Sequence, residues 1–247
     1  MDKLLYIAAS GAKQDLLGAS VRANNLANAQ TTGFKAQLEQ ARAMPAFGEG
    51  LPSRVFAMTE NAVNNFDGGA MIQTGRELDL AIQGDGWFSV MDAQGNEAYS
   101  RNGSFELGAN GELKDSHGNT VVGDFGPIFL PIPLSNVNFA SDGTLSVRPQ
   151  GAPETVLEEV GRLKLVNPNV RDMERGSDGL FRMKNGELAQ EDIVVNIRTG
   201  VLEGSNVNPV EEMVNMINLQ RHYEMQVKMM KQAKDIDTRG NSLLRII

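Results

Sequence analysis

MDKLLYIAASGAKQDLLGASVRANNLAN, Met1 to Asn28, places Leu4, Ala8, Ala12, Leu16, Ala19, Ala23 and Leu26 at steps of three or four. That spacing lines one face of a helix. Four of the seven are Ala, and small side chains let another backbone come close, so the seam predicts tight helix–helix contact rather than a bulky core. Ile7, Leu17 and Val21 project on the other side. A helix that is apolar on two sides predicts burial on two sides. An ordinary amphipathic helix resting on its own domain shares this periodicity, and the pattern alone leaves both readings open.

The other end of the chain carries a second helix signal. Asn208 is a cap residue, Pro209 suits the first helical position and Glu211 follows three residues after the cap. Met213, Met216, Leu219, Tyr223, Val227 and Met230 then form one stripe, within a segment rich in the adaptable thioether side chain. Such a stripe is more often core than cofactor box, and here the expectation is a core made between chains as well as within one. Gly240 is expected to end or bend the helix, leaving Leu243, Leu244, Ile246 and Ile247 as an apolar tail.

Between these ends the chain reads as β-structure punctuated by turns. Residues 36–77, with Pro45, Gly48, Gly50, Pro52, Asn61, Asn64, Asn65 and Gly68-Gly69, read as an extended linker with short strands. Leu78, Leu80 and Ile82 alternate as one strand face, and Gly84-Asp85-Gly86 predicts a hairpin into Trp87-Phe88-Ser89-Val90. Asn102-Gly103, Asn110-Gly111, Asp142-Gly143, Asp178-Gly179 and Asn185-Gly186 are dipeptides that supply the positive φ of tight turns. Pro127, Pro131 and Pro133 make the 128–134 run an edge or a connection. The predicted fold is mainly β: an antiparallel β domain over residues 78–205, with an N-terminal assembly helix in 1–35 and a C-terminal one in 206–247. The two helices are expected to pack as a coiled-coil-like assembly core.

Composition narrows the function. The 247 residues carry a net charge of −8 and no basic run, which argues against a nucleic-acid partner. With no cysteine, disulfides, thiolate catalysis and Cys-based metal sites are excluded. No stretch approaches the roughly 20 apolar residues of a membrane span, and the start lacks a cleavable signal pattern. The expectation is a soluble chain, or one that leaves the cell without a cleaved signal, and no membrane insertion.

Reaction chemistry is sparse. His117 and His222 lack motif partners and read as solvated side chains. Gly84-Asp85-Gly86 falls short of a dinucleotide fingerprint, and there is no Walker-type loop or Gly-x-Ser-x-Gly elbow. Adjacent carboxylates such as Glu158-Glu159 and Glu211-Glu212 point in different directions, and the second pair reads as local stabilisation of a helix N-terminus. No catalytic residue, metal site or cofactor is predicted.

Asn24-Asn25-Leu26-Ala27-Asn28-Ala29-Gln30-Thr31-Thr32-Gly33-Phe34-Lys35 resembles the signature of bacterial flagellar basal-body rod and hook proteins, in which an Asn-x-x-Ala-Asn helix runs into Thr-x-Gly-Phe-Lys. The segments Leu78 to Phe88, Tyr99 to Phe105 and Leu202 to Asn208 carry the same resemblance, which therefore spans nearly the whole chain. Met1 to Ala8 and Gln220 to Met230 look most like the proximal-rod members, with distal-rod or hook paralogues as the alternative. Trp87 stands where many relatives would carry Phe. The resemblance implies a non-enzymatic structural subunit of the periplasm-spanning rod that transmits motor torque, exported by the flagellar type III apparatus. Its implied partners are other rod subunits and copies of itself.

The residues expected to carry assembly are the seam members of both helices together with Asn24, Asn25, Asn28, Gly33 and Phe34. The asparagines are expected to tie helix to backbone, and Gly33 to permit the turn after it. The rival from another class is a secreted β-rich carbohydrate-binding or hydrolytic protein, which needs an aromatic platform or two convergent carboxylates in a cleft.

Overall fold

The cap chemistry around Asn208 works as its residue types predict. In the computed structural model, which describes residues 2–45, 55–59, 63–151, 153 and 157–244, Asn208 Oδ1 accepts the backbone N–H groups of Val210 at 3.2 Å and Glu211 at 3.4 Å. Helix α2 then runs Pro209–Leu244, and helix α1 runs Asp2–Ala27. Gly240, expected to end or bend α2, does not end it. Its φ is not in the left-handed region that a glycine stop requires, and a glycine inside a helix costs only about 1 kcal/mol. The side chains of Leu243, Leu244, Ile246 and Ile247 lie outside the described residues, as do Gly48, Gly50, Pro52 and Asn61.

The chain divides into two compact units. One comprises residues 1–29, 36–65 and 207–247; the other comprises 30–35 and 66–206. In the helical unit α1 and α2 lie against each other, and two short antiparallel pairs accompany them: Gln37–Leu38 with Val63–Asn64, and Ala41–Pro45 with Val55–Thr59.

The β unit is antiparallel at every strand pairing described. Its largest sheet sets Met173–Arg175, Phe181–Met183, Glu97–Ser100, Trp87–Met91, Thr120–Gly123, Leu113–Asp115 and Phe105–Leu107 side by side in that order. A three-stranded sheet, Leu134–Phe139, Thr144–Pro149 and Glu158–Arg162, shares its core, where Phe88, Phe105, Leu113, Leu145 and Leu165 are buried. Trp87, Phe181 and Phe66 form a second aromatic cluster with ring centroids 4.7 to 5.8 Å apart.

Four of the five predicted Asn/Asp-Gly turns have glycine at positive φ, and those at Gly111, Gly143 and Gly179 each join paired strands. Gly103 is the exception, with no positive φ. A Cβ there would strike the carbonyl of Leu80, so close backbone approach is what demands glycine. The expected Gly84-Asp85-Gly86 hairpin does not form. Its glycines do turn the chain, but Leu80–Gln83 pairs with Asn196–Thr199 while Trp87–Met91 pairs with Glu97–Ser100. Two other hairpins share an Asp-x-x-Gly-Asn turn not read from the sequence. Asp92 and Asp115 each accept two backbone N–H groups, two and four residues on.

Candidate functional site

The two helices meet along a seam that repeats every seventh residue. Asn25 faces Glu212, Gly18 faces Leu219 and Gly11 faces Gln226, so α1 and α2 run antiparallel in matched seven-residue steps. A spacing of seven keeps one face of each helix on its partner over several turns. At Gly11 an added Cβ would lie 2.9 Å from Gln226 Nε2, and at Gly18 it would lie 3.3 Å from Leu219 Cδ1 while colliding with the Glu39 carboxylate. Close approach therefore rests on glycines as well as on the predicted alanines.

Ala8 and Ala12 are buried, and Ala19, Leu26, Met216, Leu219 and Met230 are half-buried. Leu4, Leu16, Ala23, Asn24, Met213, Tyr223 and Val227 remain exposed, Leu16 at 58%. The inner line of α1 follows Ala8, Gly11, Asp15, Gly18, Arg22 and Asn25 instead, leaving the predicted three-four stripe after Ala12. The signal was present as glycines spaced by seven, Gly11 and Gly18, and a second such step to Asn25, but an alanine-rich helix offers several equivalent stripes.

Polar groups fix the register of this seam. Glu212 accepts from Arg22 Nη1 at 3.1 Å and from Asn25 Nδ2 at 3.1 Å. Asn25 also donates to the Gln37 carbonyl at 2.8 Å and accepts the Gln37 N–H at 2.9 Å, tying helix to backbone as expected. Asn28 donates instead to the Asn24 carbonyl of its own helix. Glu212, read from sequence as local stabilisation of a helix N-terminus, is also a buried acceptor shared by two donors. Farther along, Gln14 donates to Glu39. Burial pushes the Glu39 carboxyl up from its ordinary value, with Arg22 opposing and Asp15 adding to the rise. Burial likewise raises Asp15, against the lowering influence of the neighbouring His222.

The second half of the signature, Gln30–Lys35, belongs to the β unit, and Thr32, Gly33, Phe34 and Lys35 are anchored there. Thr32 Oγ1 donates to Asn102 Oδ1 at 2.7 Å, and Asn102 Nδ2 reaches Ser116 Oγ at 2.7 Å and His117 Nδ1 at 3.3 Å. Gly33 has φ 69° and sits against the backbone of Arg101 and Asn102, so any side chain there is excluded twice. Phe34 is buried beneath the Arg175 guanidinium, 4.4 Å from the ring centroid.

Lys35, 1% exposed, donates to Glu203 Oε1 at 2.7 Å and to the Asp67 carbonyl at 2.8 Å. Arg101 Nη1 reaches the other Glu203 oxygen at 3.1 Å, and the Gly69 N–H donates to Oε1 at 2.9 Å. Burial pushes both Lys35 and Arg101 down from their ordinary values, and Glu203 opposes this by pairing with each. Ion pairs this deep lose much of their Coulomb gain to desolvation but fix geometry, because removing one partner strands the others. Neither Glu203 nor Arg101 was singled out from the sequence.

The chemistry of these two sites is positional. Glu212 and Glu203 are held by cations and amides, and among the described residues no group of three or more His, Asp or Glu is placed to hold a metal. No helix of the described residues is long and apolar enough to cross a membrane.

Three family models match the chain. Residues 5–35 match "Flagella basal body rod protein", 81–147 match "Flagellar hook protein FlgE/F/G D1 domain" and 198–243 match "Flagellar basal body rod FlgEFG protein C-terminal". Flagellar basal-body rod protein FlgF of Escherichia coli is 41% identical over 250 residues, covering 99% of both chains. FlgF of Caulobacter vibrioides is 35% identical, covering 96% of this chain and 95% of its own. Flagellar basal-body rod protein FlgG of Buchnera aphidicola is 32% identical, covering 91% of this chain and 93% of its own.

Proposed function

The chain belongs to the flagellar basal-body rod protein family, and from that premise we propose that it polymerises through its terminal helices to transmit motor torque. It is a structural subunit of the basal-body rod rather than an enzyme, working among other rod subunits. The observation that carries the helical mechanism is what the helix pair leaves uncovered. After α1 and α2 have packed together, Leu4, Leu16, Met213 and Val227 of the predicted seams still face outward, with Val210 and Ile217 beside them. Apolar rows of this kind mark interaction surfaces.

Neighbouring subunits would cover these rows. Stiffness would then be the sum of many modest lateral contacts in heterologous, non-closing interfaces. Export through the flagellar type III apparatus is the route that membership of the rod family suggests. A proximal position follows from the stronger similarity to FlgF relatives, and the FlgG relatives favour a distal position as the second reading.

The chain has no cysteine, which makes the test direct. A single Cys at Leu16 or Met213 should cross-link to a neighbouring rod subunit in purified basal bodies, whereas one at the exposed β turn residue Gln94 should not. Cross-linking confined to Gln94 would overturn the helical reading, and the identity of the linked neighbour separates proximal from distal placement.

A further inference from the structure

The β unit carries an aromatic side chain that its own fold does not use. Thr120–Gly123 pairs with Gly126–Pro127, Val122 opposite Pro127 and Gly123 opposite Gly126, so Asp124 and Phe125 form the two-residue tip of a hairpin. The tip is held in place, because Gly126 takes a positive φ of 113° and the Asp124 N–H donates to the Arg162 carbonyl at 3.2 Å. Phe125 is 99% exposed there.

The same sheet carries a seat for such a ring. Met91, Tyr99, Met183 and Leu188 line a pocket of about 520 Å³, and an apolar cavity of about 150 Å³ already takes benzene. Tyr99 is buried with its hydroxyl accepting the Ala189 N–H at 2.7 Å, whereas Met91 and Met183 are half-buried and Leu188 is exposed. Thioether side chains adapt to an imperfect fit and pack favourably at aromatic rings. The charged groups of the lining are engaged within the unit: Glu97 by Lys164, Arg182 by Asp92 and Asp178, and Glu187 by Asn185. An uncharged, apolar guest suits what remains.

Strand register sets the two features apart. Thr120 faces Met91 and Val121 faces Val90, so Gly123 and Met91 lie three residues apart along the sheet, roughly 10 Å, with Phe125 beyond Gly123. Across the sheet, Phe181–Met183 is three strands from Thr120–Gly123, a further 14 Å or so. One copy therefore cannot seat its own Phe125.

We propose that Phe125 of one copy seats in the Met91, Met183 and Leu188 pocket of a second copy. Knob and seat are different surfaces, so the contact is heterologous and repeats head to tail instead of closing. Its size selects this occupant. One aromatic side chain buries about 150–250 Å², whereas a free-standing interface needs about 1,200 Å² or more. Only a neighbour already arrayed by other contacts can use so small a site, and copies in a rod are neighbours of that kind. The proposal rests on the rod reading and adds to it a contact between β units. Gln94, on the turn after Met91, does not line the pocket and stays outside the contact.

The test uses full-length chain in basal bodies from cells lacking the native subunit. A disulfide needs Cα atoms within about 7 Å, so in the double variant Phe125→Cys, Leu188→Cys a bond between the two positions can form only between copies. Mild oxidation should give covalent dimers and larger multimers, with the 125–188 bond identified by mass spectrometry, and neither single variant should give them. Phe125→Glu alters a side chain that the isolated fold leaves in water, so it should melt as the parent does yet enter rods about tenfold less, while Phe125→Leu should enter normally. Rods that contain the double variant but form no 125–188 bond overturn the proposal, as does normal entry of Phe125→Glu. Should the double variant stay out of rods, the Glu and Leu variants decide. Absence of the bond while Leu16→Cys still cross-links to a neighbour removes this contact alone. Its presence while Leu16→Cys and Met213→Cys stay unlinked removes the helical assembly reading instead.

Discussion

Asn25 and Glu212, 187 residues apart in sequence, share a buried hydrogen bond of 3.1 Å that sets the register of α1 on α2. Replacing Glu212 by Ala strands both Asn25 and Arg22, and because Arg22 is partly solvated the cost should be on the order of 1–3 kcal/mol. Glu212→Gln keeps an acceptor for Asn25 and should cost less. Hydrogen exchange of α1 amides in each variant checks the order.

Glu203 sits between two buried cations. Glu203→Gln should destabilise the β unit by about 3–5 kcal/mol, since Lys35 and Arg101 lose their shared charge partner. Lys35→Met removes one of the two cations and should cost less than Glu203→Gln. Denaturant unfolding followed by the fluorescence of Trp87, the sole tryptophan, reads both.

Gly33→Ala meets two obstacles, a left-handed backbone and the Arg101–Asn102 main chain, neither of which can move cheaply. The expected loss is more than about 2 kcal/mol. Gly11→Ala, by contrast, meets only the end of the flexible Gln226 side chain, and its helix gain of up to about 1 kcal/mol should leave it near neutral. Thermal melts of the two variants should therefore differ clearly.

The two units should respond to acid with opposite signs. Burial raises Asp15 and Glu39 in the folded helical unit, so it binds protons more readily than the unfolded chain and gains stability as pH falls through those raised values. In the β unit, Asp178 is held below its ordinary value by the Arg182 hydrogen bond and Asp142 by the backbone N–H of Thr144. At Asp92 burial pushes up, but the bonds from Asn96, Arg182 and Gln94 outweigh it. Those three stabilise above the ordinary carboxylate range, and their contribution is lost as pH falls through their depressed values. Site-resolved hydrogen exchange on acidification should show slower α1 exchange first and loss of β protection only at lower pH. Asp15→Asn should reduce the first effect.

How much of this was legible depends on how local the cause is. The α2 start was readable because Asn208, Pro209 and Glu211 act within one turn, and the turns at Gly111, Gly143 and Gly179 because φ is a property of one residue. The pairing of Leu80–Gln83 with Asn196–Thr199 was not, since a hairpin glycine pattern next to it offered a nearer partner. Glu203 and Glu212 look like any surface carboxylate until the chain brings Lys35, Arg101, Arg22 and Asn25 to them. The α1 seam was half legible: Ala8 and Ala12 were found, and the later members were displaced by one position. Gln14 donates to Glu39, a partner 25 residues away that helical spacing cannot reveal, and Gln14→Glu would set two carboxylates together.

The proposed rod assembly uses apolar residues that the isolated chain does not need for folding. Leu16 is on the predicted seam yet 58% exposed, and Ser20, one turn on, is exposed and polar. The decisive measurement compares Leu16→Glu with Ser20→Glu for thermal stability of the purified chain and for incorporation into rods in cells lacking the native subunit. Both variants should melt within about 0.5 kcal/mol of the parent, as exposed substitutions do. Leu16→Glu alone should fail to enter the rod. Normal incorporation of Leu16→Glu, or equal loss by both variants, would contradict the claim.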